Sequence, residues 1–181
     1  MISVLYGKYN PLEFIRCIPR LVKHSWQRIS KGYCHLDVLD LDVWFLKTVP
    51  DMIEELRNST NSFPATVAYR YIEEHKDELG MDYETYINWK HDGSEEDKKR
   101  EKIDELCRSE WFRILERMVF LFREADEDTC SRQSKYLEAL IKGDKSVKYD
   151  PVEDEELQEY RNSCLKEAMY MFYQYFHNIW D

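Results

Sequence analysis

The side chain best placed for chemistry in this 181-residue chain is the carboxylate of Asp42. It lies one turn after Val38 and one turn before Phe45, so a helix through this stretch places it inside the apolar stripe. A buried carboxylate needs a cation or several hydrogen-bond donors. Asp42 is therefore predicted to be either half of a structural ion pair or a site carboxylate at the base of a pocket, and both interpretations stay open.

Two arginines are candidate partners for Asp42. Arg161 falls at helical spacing between apolar residues of the last helix and is predicted to face inward, whereas Arg28 precedes a glycine turn. We favour Arg161, because two long helices of one core can bring positions 42 and 161 together; Arg28 is the alternative. The predicted ligand or buried polar site comprises Asp42, Arg28, Arg161, Tyr33 and Trp44.

Other chemistry leaves little trace in the sequence. There is no Gly-rich phosphate loop, no GxSxG and no HExxH motif. The 5 Cys are scattered without a CxxC pair, which predicts reduced thiols. Cys34 and His35 adjoin Asp37, but their spacing does not suit a metal site. We therefore predict no metal, no cofactor and no catalytic residue.

Composition narrows the class of protein. Net charge is −10, which disfavours binding to a nucleic-acid backbone. Aromatic residues make up 14%, which argues against disorder, and 5 Gly with 5 Pro leave little material for a turn-rich β fold. No apolar run approaches the ~18 residues that span a bilayer, and no signal peptide is seen. We expect a cytoplasmic protein that does not bind membranes.

Hydrophobic periodicity predicts an all-α fold, a helical bundle of three long helices with several short ones, in a single domain over 1–181. The long helices are expected near 37–60, 94–124 and 153–180. Asp37 is the predicted N-cap of the first, and Pro50 is expected to kink it. Pro19 is expected to divide an earlier helix into 11–18 and 20–30. The region 125–152 is predicted to be the loosest, with one small helix near 135–141.

The last helix carries apolar residues around most of its circumference. Tyr170, Tyr173, Phe176 and Trp180 lie outside its main stripe. A helix that is apolar all round is either central in a core or shared with another subunit. We predict a homo-oligomer, most simply a dimer.

A family resemblance rests on the stretches 26–64 and 157–181. Its motifs are Arg28, Gly32-Tyr33, Asp37-Val38, Leu41-Asp42, Trp44-Phe45, Val49-Pro50, Asn61, Phe63-Pro64, Met171-Phe172, Tyr175-Phe176 and Trp180-Asp181. This pattern resembles small phage- and prophage-encoded helical proteins of unknown function. The resemblance implies a phage or mobile-element origin and, with it, the host-cell cytoplasm; it implies no reaction.

The predicted function is a non-enzymatic, phage-type accessory protein that acts by binding. It is expected to sequester a small nucleotide signal or to bind a host or defence protein, and so to evade host defence. One alternative is a metal-dependent nucleotide hydrolase, although acidic pairs such as Glu73-Glu74 lack the repeated ladder of acidic helical pyrophosphatases. Another alternative is a structural or assembly factor.

Overall fold

The computed structural model describes residues 11–89, 95–144 and 146–179, and for 11–17, 20, 95 and 96 it describes the backbone alone. These residues contain helices and no strand, so the all-α prediction is confirmed. The helices are α1 (Pro11–Lys31), α2 (His35–Leu39), α3 (Leu41–Ser59), α4 (Ala65–Glu74), α5 (Lys76–Leu79), α6 (Tyr83–Ile87), α7 (Glu95–Ala125), α8 (Lys135–Lys142) and α9 (Pro151–Tyr175), followed by a 3₁₀ turn at Phe176–Asn178. No helix in these ranges has the length and apolar character needed to cross a bilayer.

The finer prediction of three long helices is not confirmed. Within the described ranges, α1 has 21 residues, α3 has 19, α7 has 31 and α9 has 25, so four helices are long. The chain groups into two compact units, an N-terminal unit Met1–Phe45 and a C-terminal unit Leu46–Asp181. The single domain over 1–181 stays a prediction.

In the N-terminal unit, α1 runs without a break through Pro19, so the predicted division at this proline is wrong. A proline inside a helix removes one backbone donor and crowds one turn, and the remaining hydrogen bonds can carry the helix past it. Gly32 then turns the chain with a left-handed φ of 79°, as its position predicts. Its N–H donates to the carbonyl of Arg28 at 2.9 Å.

The first of the three predicted long helices, expected near 37–60, starts later than predicted. A short helix, α2, comes first, and Asp40 interrupts the backbone with φ −117° and ψ 54° before α3 begins at Leu41. The N-cap of α2 is Cys34, so the prediction that Asp37 caps a helix from 37 to 60 is wrong. The predicted end near residue 60 agrees with the last residue of α3, Ser59.

The core of the C-terminal unit is built on α7, which packs against α9 and α4. One face of α7 is buried along its length, as its periodicity predicts: Ile103, Cys107, Trp111, Ile114, Leu115, Met118, Leu121 and Phe122. On α9 the buried positions include Leu157, Cys164 and Ala168. The small helix expected near 135–141 is α8.

Candidate functional site

Among the described side chains of the N-terminal unit, the buried carboxylate is Asp37, not Asp42. The Arg28 guanidinium grips it with two hydrogen bonds, Nε to Oδ2 at 3.1 Å and Nη2 to Oδ1 at 2.6 Å. The backbone N–H of Cys34 donates to Oδ2 at 2.7 Å. These contacts hold the start of α2 against the end of α1. We call Arg28, Cys34 and Asp37 the Asp37 clamp.

The clamp lies at the edge of water. Asp37 is 6% exposed, whereas the Arg28 side chain is 49% exposed. Hydrogen bonding from Arg28, with further donation by Cys34, holds the pKa of Asp37 well below its ordinary value despite burial. The same bonds raise the pKa of Arg28. Asp37 is thus a carboxylate fully neutralised by its neighbour.

Beside the clamp, the N-terminal unit has a shallow concavity of about 250 Å³. Its lining consists of Lys23, Gln27, Lys31, Tyr33, His35 and Val38. The Gln27 Oε1 accepts the backbone N–H of His35 at 3.2 Å, which fixes the amide. Neither Lys23 nor Lys31 has a carboxylate partner among the described residues. Tyr33 is the one predicted site residue in this lining.

The face of α1 turned away from α2 is apolar and open. Its side chains recur at helical spacing and are 42% to 79% exposed: Ile18, Leu21, Val22, Trp26 and Ile29. We call these five residues the α1 stripe. The polar face of the same helix carries the groups that meet α2, among them Gln27 and Arg28.

Asp42 lies in the first turn of α3 and is exposed, so its predicted burial in an apolar stripe is wrong. Its apolar neighbours Val38 and Leu41 are 54% and 61% exposed, so the predicted stripe is not buried at the start of α3. Within the described part of its unit, Asp42 has no ion pair. Trp44, half-buried, follows in the same turn.

In the C-terminal unit Glu124, near the end of α7, is the more deeply buried of two buried carboxylates among the described residues, the other being Asp126. It accepts the Ser131 N–H at 3.0 Å and the Ser131 hydroxyl at 2.7 Å from the chain that follows α7. The Tyr160 hydroxyl on α9 donates to it at 2.8 Å, and the Cys130 thiol lies 3.8 Å away. We call these four residues the Glu124 cluster.

The cluster binds an ionised carboxylate with neutral donors. Burial raises the pKa of Glu124, but the hydrogen bonds from Ser131 and Tyr160 outweigh it, and the net pKa is lowered. Hydrogen bonding to Glu124 raises the pKa of Tyr160 in turn. This cluster was not predicted: Ser131 and Tyr160 follow no spacing that relates them to Glu124.

Arg161 is buried on α9, which confirms that it faces inward. Its Nη1 lies 3.6 Å from Glu127 Oε1, while its Nε has no hydrogen-bond partner in the described chain. Of the two arginines predicted to pair with Asp42, Arg28 thus binds Asp37 and Arg161 faces Glu127. Of the five predicted site residues, four lie in the N-terminal unit and one, Arg161, in the C-terminal unit, so the grouping of all five stays a prediction.

Two further surfaces lie on the C-terminal unit. An open groove of about 570 Å³ runs along α4, and two charged side chains of its lining are engaged: Arg70 donates to the Tyr175 hydroxyl at 2.7 Å, and Glu73 accepts the Tyr83 N–H at 3.1 Å. At the end of α9 and the start of the 3₁₀ turn, a patch of exposed side chains, the α9 patch, consists of Met169, Tyr170, Tyr173 and Phe176. Trp180, predicted to belong with them, lies outside the described residues.

Across the described ranges, no group of three or more His, Cys, Asp or Glu side chains is arranged to hold a metal ion. Comparison with known proteins found no matching family model, no matching curated protein and no matching solved structure. The geometry of the chain is therefore the basis for its proposed function.

Proposed function

We propose that this protein is a non-enzymatic binding protein that recognises a protein partner through the α1 stripe. The observation that carries the proposal is the exposure of five large apolar side chains on one face of one helix. Contiguous apolar surface of this kind on a folded chain marks an interaction site. An amphipathic helix with apolar anchors at helical spacing, here i, i+3, i+4, i+8 and i+11 from Ile18, suits a groove on another protein.

Charge suggests what kind of groove this is. The sequence of α1 contains five Arg or Lys residues and one Glu, in a chain whose net charge is −10. A partner with an apolar floor and an acidic rim would satisfy both faces of the helix. Two copies of α1 packed on each other would bring like charges together, so we do not assign the stripe to self-association.

The phage-type resemblance supports a host or defence protein as the target class.

Oligomerisation is a separate part of the proposal. We assign it to the α9 patch, in which Tyr173 is 81% exposed, because a patch on one helix can pair with its own copy about a two-fold axis. The alternative of a metal-dependent nucleotide hydrolase stays a prediction.

The test is a peptide selection on the purified full chain. A random peptide library displayed on phage should enrich sequences that combine Leu, Ile, Phe or Trp at helical spacing with Asp and Glu. The paired substitutions Val22→Asp and Ile29→Asp should abolish their binding. The matched control replaces two exposed apolar residues outside the stripe, Tyr69→Asp and Ile87→Asp, and should leave binding intact.

Three results would contradict the proposal. Enriched peptides that bind the V22D/I29D chain as well as the original would remove the stripe from recognition. Enrichment of basic rather than acidic peptides would overturn the partner class. Stripe-dependent binding to anionic lipid vesicles, with no peptide enriched, would assign α1 to a membrane surface instead.

A further inference from the structure

We infer that the concavity beside the Asp37 clamp binds a small phosphate ester that carries a planar ring. This site goes beyond the proposed protein-binding function, because Lys23, Tyr33 and His35 are not part of the α1 stripe. The substitutions V22D and I29D leave every side chain of the concavity in place, so the peptide test and the test below can fail separately.

The first step of the argument is charge. Lys23 and Lys31 both line the concavity, and neither is matched by a carboxylate in the described part of the chain. The nearest buried carboxylate, Asp37, is already neutralised by Arg28. Because Asp37 binds Arg28, its charge does not offset those of the two lysines, and their ammonium groups remain to attract an anion.

The second step is hydrogen bonding. Since the Gln27 Oε1 accepts the His35 N–H, the amide is oriented with its two N–H donors left over for a ligand. The His35 side chain, in the first turn of α2, lines the same concavity. Donors of this kind around lysines suit phosphoryl oxygens, which accept several hydrogen bonds at once.

The third step is shape. A volume of about 250 Å³ lies just below the usual range for drug-sized ligands, so it accommodates a phosphoryl group with one attached ring. Tyr33 and Val38 supply the apolar part of the lining, and a phenol ring offers a face on which a planar ring can stack. Because the lysines are exposed, the expected affinity is modest, with Kd on the order of 1 mM at low ionic strength.

The experiment titrates the full chain with AMP, adenosine and inorganic phosphate while NMR follows the backbone amides. AMP should shift the amides around Tyr33 and His35 saturably and bind more tightly than either of the other probes. The paired change Lys23→Glu and Lys31→Glu should weaken AMP binding by about tenfold or more. The pair Lys23→Gln and Lys31→Gln should weaken it less and provides a second, uncharged variant.

The matched control is Lys102→Glu with Lys166→Glu, two exposed lysines of the C-terminal unit, which changes the net charge equally. AMP binding should survive this control. The proposal is overturned if the K23E/K31E chain binds AMP normally, if the control loses binding to the same extent, or if no probe gives a saturable shift. If adenosine binds as tightly as AMP, the site does not recognise the phosphate. If inorganic phosphate binds as tightly as AMP, the site does not recognise the ring.

Discussion

Asp37 and Glu124 are two buried carboxylates that the molecule stabilises in different ways. Asp37 receives a guanidinium and one backbone N–H from residues at most nine positions away. Glu124 receives neutral hydroxyl and amide donors from the chain after α7 and from α9, 36 positions away. Asp37 is therefore bound by a cation, Arg28, that is half exposed to water. Glu124 is bound by neutral donors inside its unit.

The difference shows what each site can contribute. An ion pair with an exposed member is screened by water, so it orients the chain more than it stabilises it. Three hydrogen bonds to a carboxylate that is 4% exposed act in a medium of low polarity, where each is stronger and each stranded donor costs more. The Glu124 cluster should therefore matter more to stability than the Asp37 clamp.

The largest effect is expected for Glu124→Leu. It strands the donors of Ser131 and Tyr160 inside the unit, at a cost of about 3 kcal/mol in the free energy of unfolding. Chemical denaturation measures this loss, and the Ser131 amide should exchange its hydrogen much faster. Glu101→Leu, at an exposed position of α7, is the control and should change stability little. Equal effects of the two changes would refute the role assigned to the cluster.

Arg28→Leu should have the next largest effect. Breaking a buried pair by removing one partner costs several kcal/mol, but solvent around Arg28 reduces this to about 2 kcal/mol. The loss should appear as faster exchange of the Cys34 amide, with the Ser131 amide unchanged. Adding Asp37→Leu should recover part of the loss, because no charge is then stranded. If the double change costs the full sum, the clamp is not a coupled pair.

Acidification should distinguish the two carboxylates by the order in which they protonate. Both pKa values are lowered in the folded chain, so both contribute stability at neutral pH that is lost as pH falls through the folded pKa. The pKa of Asp37 is held further down, since burial opposes the lowering at Glu124 more effectively. On acidification, Glu124 should protonate before Asp37, and its contribution to stability should be lost first. Carboxyl ¹³C titration checks the order, and Asp37 titrating first would reverse the comparison.

The smallest effect is expected for Asp42→Asn. An exposed carboxylate in the first turn of α3 interacts with the helix dipole and should contribute about 0.5 kcal/mol or less. Thermal melting of the variant measures this directly. A loss as large as that for Arg28→Leu would mean that Asp42 has a partner in the folded chain after all.

The sequence predicts those parts of the fold in which one helix keeps one phase. The buried face of α7 runs unbroken from Ile103 to Phe122, so spacing alone identifies it. Arg161 was placed inward for the same reason, by its distance from Leu157 and Cys164. Gly32 and the small helix α8 follow from local turn and helix preferences.

The candidate site was less predictable, because its contacts depend on breaks and on distant pairs. Spacing placed Asp42 on an apolar stripe, but it does not say whether another element covers that stripe, and here Val38 and Leu41 are exposed with Asp42. The pairing of Arg28 with Asp37 had a signal, two opposite charges flanking a glycine turn, but Asp37 also suited a helix cap. Glu124 meets Ser131 and Tyr160 only through tertiary packing, which periodicity does not encode.

The four free thiols described in the chain have a practical consequence. Cys34, Cys107, Cys130 and Cys164 are at most 6% exposed, and burial raises the pKa of Cys107 to about 11. A thiol-specific reagent therefore modifies them only when the surrounding structure opens. In a Cys17→Ser background, the rate of labelling at Cys34 measures how often the N-terminal unit opens. The labelling rates of the other three thiols measure the opening of the C-terminal unit. The native cysteines thus report the opening rate of each unit separately, without an added label.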